Sequence, residues 1–490
     1  MTKKLTLAEA LLPVVAMLLL LGIGYGYYHF RSEPLLIIAT IIAGLIALRA
    51  GVSWDSMHKG IVEKINDGMP ATLILISVGM MIGTWMFSGT IPMVIYYGLQ
   101  YINPNYILII ACLGSAMVSI MTGTSWGAVG TVGVAFIGIA TGLGVSLPAA
   151  AGAIISGAFF GDKISPLSDT TNLAPIAAGS TLYEHIGHML YTTVPALVLS
   201  LLVYYFVGTG DFVTSSTTIA TPEKMRIMLQ SLDTMYHWNI ILILPLVIVL
   251  GGAVLKWPTL PVMLAASFVA FLLGCCIQGF SAQDGFNSMI TGFNVSMVHR
   301  EGFDSGAVIW DVTKLINRGG MMSMMATTLI AFCAFAFAGI MSKAGALEVI
   351  LEALTRRVKS TGSLIATTVL SCITMAVVTG SSYLSIIVPG EMYRDVYRKR
   401  GLAAKNLSRT LEDSGTVIVP LVPWSMAGVY MASTLGVPVL DYLPWAVLCY
   451  TGFIFAIIYA YTDFKIEKIA PEPAVTASTD ADDNTERSLA

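Results

Sequence analysis

The sequence predicts an all-α polytopic membrane protein built from two inverted-topology repeats, with re-entrant hairpins and interrupted transmembrane helices. Charged residues make up only 11 % of the 490 residues, against about 25 % in soluble proteins. Apolar residues form long continuous runs, with a mean hydropathy of +0.78. The chain also repeats itself internally. Together these observations exclude a soluble enzyme, a disordered chain and a secreted disulfide scaffold, and the net charge of −3 gives no nucleic-acid signature.

Apolar windows of about 17–25 residues mark the candidate spans within the lipid bilayer. The first follows two lysines and lacks a cleavage site, so we expect it to be retained. Segments 209–236 and 280–318 are predicted to lie outside the membrane, and 53–67 to form an amphipathic helix on its surface. The predicted spans are 7–28, 34–50, 70–88, 105–121, 126–142, 148–180 (interrupted), 188–208, 238–255, 259–279, 320–341, 361–390 (interrupted), 411–435 (interrupted) and 441–461.

An internal repeat divides the chain into two halves. Thr122-Gly-Thr-Ser-Trp resembles Thr379-Gly-Ser-Ser-Tyr 257 residues later, and four further matches keep the same order. A sixth matches Asp162 with Glu412 or Asp413, at an offset of 250 or 251. The predicted domains are a first repeat at 4–208, a linker at 209–235, a second repeat at 236–461 and a disordered cytoplasmic tail at 462–490.

The charges of corresponding loops orient the halves. Loops 89–104 and 142–148 carry no charge, whereas their counterparts at 345–360 and 391–409 are rich in Arg and Lys. Because basic loops stay in the cytoplasm, the two repeats should be inverted relative to one another, with both termini cytoplasmic. Such inverted repeats are typical of secondary transporters with a site at the midplane.

The same charges predict hairpins. Segments 343–360 and 391–409 both look cytoplasmic, so 361–390 should enter and leave on one side, and 105–142 should do so from the other side. Glycines at the tips allow close approach to a ligand, and hydroxyls there could complete a coordination shell or hold a carboxylate. Small-residue helix packing is the alternative. The tip residues are Thr122, Gly123, Thr124 and Ser125, and Thr379, Gly380, Ser381 and Ser382.

A polar cluster interrupts the longest uncharged stretch. No charge occurs between Gly68 and Gly161, after which Asp162 lies about 21 Å of helix rise beyond Pro148. Pro166 should break this helix and free carbonyl groups, which are hard oxygen ligands suited to Na⁺. Competition of a cation and a proton for a buried carboxylate is the simplest antiporter chemistry. The predicted ligands are Asp162, Asp169, Ser168, Thr170, Thr171 and Asn172, with Na⁺ at Asp162 and Asp169.

Lys163 gives this cluster a second interpretation, because an Asp162–Lys163 pair could simply hold a kinked helix. In the second half, Glu412, Asp413 and Ser414 should contribute to the cation and proton site, either at the midplane or from a cytoplasmic crevice. Their structural alternative is an ion pair with Lys163 across the repeat interface.

Residues 161–172, Gly-Asp-Lys-Ile-Ser-Pro-Leu-Ser-Asp-Thr-Thr-Asn, resemble the signature of the NhaC family of bacterial sodium/proton antiporters. Segments 122–126 and 411–415 are also similar to that family, and the resemblance covers about 5–460. It implies a transporter without cofactors rather than an enzyme, exchanging Na⁺ for H⁺ across the bacterial cytoplasmic membrane by alternating access.

The same resemblance leaves three points open. The family includes exchangers of malate for lactate coupled to Na⁺ and H⁺, so small carboxylates are an alternative cargo. A cation channel is the alternative from another class, although nothing here resembles a selectivity filter. Family members often move one domain against a scaffold within a homodimer, but the sequence fixes neither the oligomeric state nor the stoichiometry.

Overall fold

The computed structural model describes residues 4–28, 30–209, 222–300, 303–356 and 358–469. Most of them lie in α-helices, which confirms the predicted helical class. Residues 210–221 of the predicted linker and 470–490 of the predicted tail lie outside the described residues.

The helices of the first half pack against one another and, near the amino terminus, against helices of the second half. From the amino terminus they are α1 (Leu7–Leu19), α2 (Ser32–Arg49), α3 (Trp54–Ser88), α4 (Thr90–Tyr101), α5 (Ile107–Thr122), α6 (Ser125–Ala128), α7 (Val134–Leu143), α8 (Leu147–Ile164), α9 (Asp169–Ala178) and α10 (Leu182–Thr209).

One helix of the connecting region, α11 (Pro222–Met235), precedes the second half in the described residues. The helices of the second half are α12 (Leu244–Val254), α13 (Thr259–Cys276), α14 (Ala282–Thr291), α15 (Trp310–Ile316), α16 (Met325–Lys343), α17 (Ala346–Thr355), α18 (Thr361–Thr379), α19 (Ser382–Lys399), α20 (Ala404–Leu411), α21 (Met426–Leu435), α22 (Val439–Tyr442) and α23 (Val447–Thr462).

Nine helices in the described residues are long and apolar enough to cross a membrane, or up to twelve if each sharply bent pair forms one span. The chain is therefore a multi-pass membrane protein. One such bent pair joins Ala404–Leu421 to Met426–Leu435 at 49°, where the sequence predicted an interrupted span.

The predicted surface helix at 53–67 is wrong, because α3 continues without a break through 35 residues. Contacts with α16 of the second half hold the polar first turns of α3 in place. Lys343 pairs with Glu63 at 2.7 Å, and a Cβ at Gly60 would lie 2.7 Å from the Gly339 carbonyl oxygen. Glycine therefore brings the two backbones into direct contact, as small residues do between membrane helices.

Both predicted hairpin tips are tight turns. Gly123 ends α5 with φ +67° and Gly380 ends α18 with φ +64°, a left-handed conformation that side chains with a Cβ rarely adopt. Thr124 then caps the return arm by accepting from the Gly127 amide, and Ser381 accepts from the Leu384 amide.

The arms of the second hairpin, α18 and α19, run antiparallel. The Ser371 and Tyr393 hydroxyls are 2.9 Å apart, and the Tyr397 hydroxyl donates to Thr368 over 3.2 Å. Since the later residue of one arm faces the earlier residue of the other, the chain reverses direction at Gly380. In the first hairpin, Gly114 of α5 packs against Phe136 of α7 in the same antiparallel sense.

A broken helix follows each hairpin, and the two correspond residue by residue. The first runs Leu147–Ile164 and resumes at Asp169–Ala178; the second runs Ala404–Leu421 and resumes at Met426–Leu435. Every one of these boundaries is shifted by 257 residues, the same offset as the hairpin tips. The second broken helix differs in having a π-helical segment at Glu412–Thr416.

This register corrects one predicted match. At an offset of 257, Asp162 corresponds to Val419, and Glu412 corresponds to Ile155. The acids of the second half, Glu412 and Asp413, lie seven and six residues, about two helical turns, before the position equivalent to Asp162. The sequence comparison paired them because both are acids in an apolar stretch, but the helix ends show that they occupy different levels of the repeat.

Candidate functional site

The first hairpin tip rests on the first helix break. A Cβ at Gly123 would lie 2.6 Å from the Leu167 Cβ, inside the loop that joins α8 to α9. Glycines also bring α8 against α5, since a Cβ at Gly161 would lie 2.3 Å from the Ala116 carbonyl oxygen. The last turn of α8, which carries Asp162, is therefore enclosed by the hairpin.

Asp162 is bound by the hairpin tip. Ser125 donates to its Oδ2 twice, from the backbone amide over 3.1 Å and from the hydroxyl over 2.7 Å. The side chain of Ser168 also lies within interaction range of the carboxyl group. Asp162 is only 7 % exposed, and in the described part of the chain no basic side chain lies within ion-pair distance of it. Its contacts are thus neutral hydrogen-bond donors at the beginning of a helical arm, where the helix dipole favours negative charge.

Lys163 pairs across the repeats rather than with its neighbour. Its Nζ lies 2.5 Å from Asp413 Oδ1, and both side chains are fully buried. The structural alternative for Asp413 is therefore realised, whereas the Asp162–Lys163 pair is not. The pair ties the end of α8 to the π-helical segment of the second half.

Glu412 faces the first half through a different contact. Its Oε1 accepts from the Thr170 hydroxyl over 3.2 Å. Its Oε2 is buried without a hydrogen-bond partner among the described residues, as are Asp413 Oδ2 and the Thr416 hydroxyl. A π-helical turn widens the helix locally and is frequent at functional sites. Here it places unsatisfied acceptors at the interface between the repeats.

Two predicted ligands hold the helix break itself. The Thr171 hydroxyl donates to the carbonyl oxygens of Asp162 and Lys163, at 3.0 and 3.1 Å. The Asn172 amide donates to the carbonyls of Pro166 and Ser168. These bonds hold the backbone carbonyls on both sides of the break, of which that of Ser168 also accepts from the Asn172 backbone amide. In this conformation both side chains position Asp162 without contacting its carboxyl group.

Asp169 is exposed, although the sequence placed it beside Asp162 in a buried pair. It begins α9 and accepts from the Tyr383 hydroxyl of the second hairpin over 3.4 Å. As the first residue after the break it lies on the open side of the loop, so hydration competes for its charge. The contact with Tyr383 still links the two repeats beside the buried acids.

Of the remaining predicted residues, Ser414 lies in the π-helical segment and the others lie at the hairpin tips, and several of their hydroxyls bond to backbone groups. The Thr379 hydroxyl donates to the Met375 carbonyl and the Ser414 hydroxyl to that of Thr410, while Thr122 contacts the Thr124 carbonyl over 3.5 Å. Gly380 packs against Ser425 at the second break. Each tip thus contacts the break of its own half.

Two side chains that matter here are not predicted from the sequence. Arg409 falls in a predicted basic loop, yet it is fully buried one turn before Asp413. Tyr430 of α21 stacks on Trp126, with ring centroids 4.4 Å apart, and donates to its carbonyl. The i, i+4 spacing of Arg409 and Asp413 was a usable signal, whereas nothing in the sequence marked Tyr430.

Within the described residues, no three His, Cys, Asp or Glu side chains are grouped to hold a metal ion. A cation at Asp162 would therefore be bound by one carboxylate together with neutral oxygen atoms. Hydroxyl and carbonyl oxygens of this kind suit a weakly held monovalent cation.

Comparison with known proteins identifies the family. Residues 98–171 and 157–464 match the model of the Na⁺/H⁺ antiporter family. An uncharacterized Na⁺/H⁺ antiporter of Haemophilus influenzae is 51 % identical, over 96 % of this chain and 98 % of that protein. The Na⁺/H⁺ antiporter NhaC of Alkalihalophilus pseudofirmus is 35 % identical over 96 % and 98 %, and a malate-2H⁺/Na⁺-lactate antiporter of Bacillus subtilis is 33 % identical over 92 % and 94 %. The chain therefore belongs to the Na⁺/H⁺ antiporter family of membrane transporters.

Proposed function

We propose that the protein exchanges Na⁺ for H⁺ by alternating access, with both ions competing for the carboxyl group of Asp162. The observation that carries this proposal is the burial of Asp162 at a helix break, held by Ser125 and without a basic partner among the described residues. An unpaired carboxylate in a low-dielectric interior has to be neutralised, and a proton or a small cation can do so.

The other candidate residues take supporting roles in this proposal. Ser168 and the carbonyls of the break supply oxygen ligands to Na⁺, and Thr171 and Asn172 keep the break open. Glu412 receives a proton or cation from the second half, and Asp169 collects cations at the exposed mouth. The hairpin tips close over the ion, with Thr122, Thr124, Ser381 and Ser382 providing further oxygens when the tips move.

The setting we propose is the bacterial cytoplasmic membrane, with both termini in the cytoplasm. The basic loops at 345–360 and 391–409 support this orientation. The transported ions are the only ligands required, and a homodimer in the lipid bilayer is the assembly we propose.

Exchange of small carboxylates is the second candidate, because a relative that is 33 % identical bears the name of a malate/lactate antiporter. A substrate carboxylate would need a helix N-terminus or a free base. In this structure the Ser125 amide at the helix N-terminus already donates to Asp162, and Lys163 already forms an ion pair with Asp413. Both features favour a cation rather than a carboxylate at the first hairpin tip.

A substrate panel in proteoliposomes tests the proposal. Na⁺, Li⁺, K⁺, malate and lactate are each supplied under an imposed gradient while internal pH is recorded. We expect Na⁺ alone to drive proton movement in the wild type, and Asp162→Asn to abolish it while the protein remains folded. Asp395→Asn, which changes an exposed aspartate, serves as the matched control. Labelled malate uptake without Na⁺/H⁺ exchange would instead establish the second candidate.

A further inference from the structure

Very few ionisable acids and bases are buried in this membrane protein. Among the described residues six Asp, Glu, Lys and Arg side chains are buried. Glu33 is one, and it pairs with Arg31 at 2.8 Å near the beginning of α2. The other five lie together at the interface of the broken helices and form what we call the buried charge cluster. Its members are Asp162, Lys163, Arg409, Glu412 and Asp413.

The cluster is continuous. Lys163 contacts Asp413, and Arg409 lies one helical turn before Asp413, on the same face of the second broken helix. Arg409 Nη1 donates to the Lys465 carbonyl over 3.3 Å. Its Nε and Nη2 have no hydrogen-bond partner in the described residues, and neither does Asp413 Oδ2. Arg409 thus forms no ion pair among the described residues, and Asp413 is the acid with which its charge interacts.

The neighbouring titratable groups add little to the balance. His185 and His188 of α10 are buried next to Arg409, hydrogen-bonded through Nδ1 to the Ser408 hydroxyl and through Nε2 to the Lys465 carbonyl. Neither imidazole contacts a carboxylate, and His185 Nε2 and His188 Nδ1 have no hydrogen-bond partner among the described residues, so we count both as uncharged. Asp169 interacts electrostatically with Asp162, but it is exposed and keeps its hydration, so it is not counted among the buried charges.

The cluster thus holds three negative and two positive side chains, which leaves one unmatched negative charge. We infer that it takes up one monovalent cation at a time, Na⁺ or H⁺, and that the exchange is electroneutral, one Na⁺ for one H⁺. This inference rests on the proposed function and adds its stoichiometry. Either ion makes the cluster neutral, and a neutral cluster is the form that a low-dielectric interior favours. Lys163 and Arg409 determine how many negative charges remain and therefore how many cations bind in each cycle.

The membrane potential provides the test. The full-length protein is reconstituted in proteoliposomes, and the potential is clamped with K⁺ and valinomycin at zero and at about −100 mV. The ratio of internal to external Na⁺ concentration at which proton flux stops is then measured at a fixed pH difference. We expect this ratio to equal the ratio of internal to external proton concentration at both potentials. Movement of one net charge would shift it about 50-fold per 100 mV, which would overturn the inference. A complete lack of Na⁺-dependent proton movement would overturn the proposed function itself.

A charge variant tests the role of Arg409. Arg409→Gln leaves two unmatched negative charges, so two cations should bind per cycle and the Na⁺ dependence of proton flux should become cooperative, with a Hill coefficient of about two in place of about one. Arg398→Gln, whose guanidinium is 77 % exposed, should behave as the wild type. The double variant Arg409→Gln with Asp413→Asn restores a single unmatched charge and should return the Hill coefficient to about one. An active Arg409→Gln protein with a Hill coefficient of about one would remove Arg409 from the balance; if that variant does not fold, the wild-type measurement decides.

Discussion

The Lys163–Asp413 pair offers the sharpest test of how the repeats are joined. At 2.5 Å and an effective dielectric constant of about 20, the Coulomb attraction is about 7 kcal/mol. Most of this is offset by the loss of hydration when both charges are buried. Removing one partner strands the other, so Lys163→Met or Asp413→Asn alone should each lower the unfolding free energy by about 3–5 kcal/mol.

The double variant should recover most of that loss, because no charge is left stranded. Stability is measured on detergent-purified protein by reversible unfolding in mixed micelles, as a double-mutant cycle. Lys468→Met removes the exposed partner of Asp463 at 3.1 Å, and should cost less than about 1 kcal/mol. Single variants that cost no more than this control, with a coupling energy near zero, would refute a buried ion pair between the repeats.

Three further substitutions probe the hairpins and the break. Ser125→Ala removes the 2.7 Å hydroxyl bond to Asp162 but keeps the amide bond. Because the lost bond is to a charged group, the KM for Na⁺ in proteoliposome flux should rise about tenfold with kcat little changed. An unchanged KM would exclude Ser125 from the site. Gly123→Ala forces a Cβ onto Leu167 at a φ of +67°, which should lower the free energy of unfolding by about 1–3 kcal/mol. The measurement is the midpoint of unfolding, which should fall. Gly22→Ala is the control and should have no effect, because the space around Gly22 is open. Tyr383→Phe removes a long, exposed bond to Asp169, so Na⁺-driven proton flux should fall less than about threefold; a complete loss would assign Tyr383 a direct part in transport.

Local sequence features predicted the hairpins and breaks well. Gly123 and Gly380 stand where only a residue without a Cβ fits, and Pro166 follows directly after the end of α8. These are backbone effects that act within a few residues, so the residue types alone identify them. The spans were equally accessible, because the membrane demands long uncharged runs.

The partners of the buried charges were harder to predict. Lys163 is adjacent to Asp162 in the chain but pairs with Asp413, which lies 250 residues away. Arg409 looked like a solvated loop residue, since it follows Lys405 in a basic segment. The pairing of acids with bases depends on the height at which two inverted helices cross. Matching Asp162 with Glu412 or Asp413 misplaced the acids of the second half by about two helical turns. The exposure of Asp169 was not predicted for a different reason, since composition does not tell which side of a loop faces outward.

The shared 257-residue register has a consequence for how such a molecule arises and works. Helix ends, turns and caps obey the duplication, whereas the ionisable groups do not. Under the proposed alternating access, a duplicated backbone of this kind would present equivalent hairpins to opposite faces of the bilayer around one ion site. The symmetry of the backbone would then provide access from both sides, and the asymmetric side chains would provide the single site that both sides share.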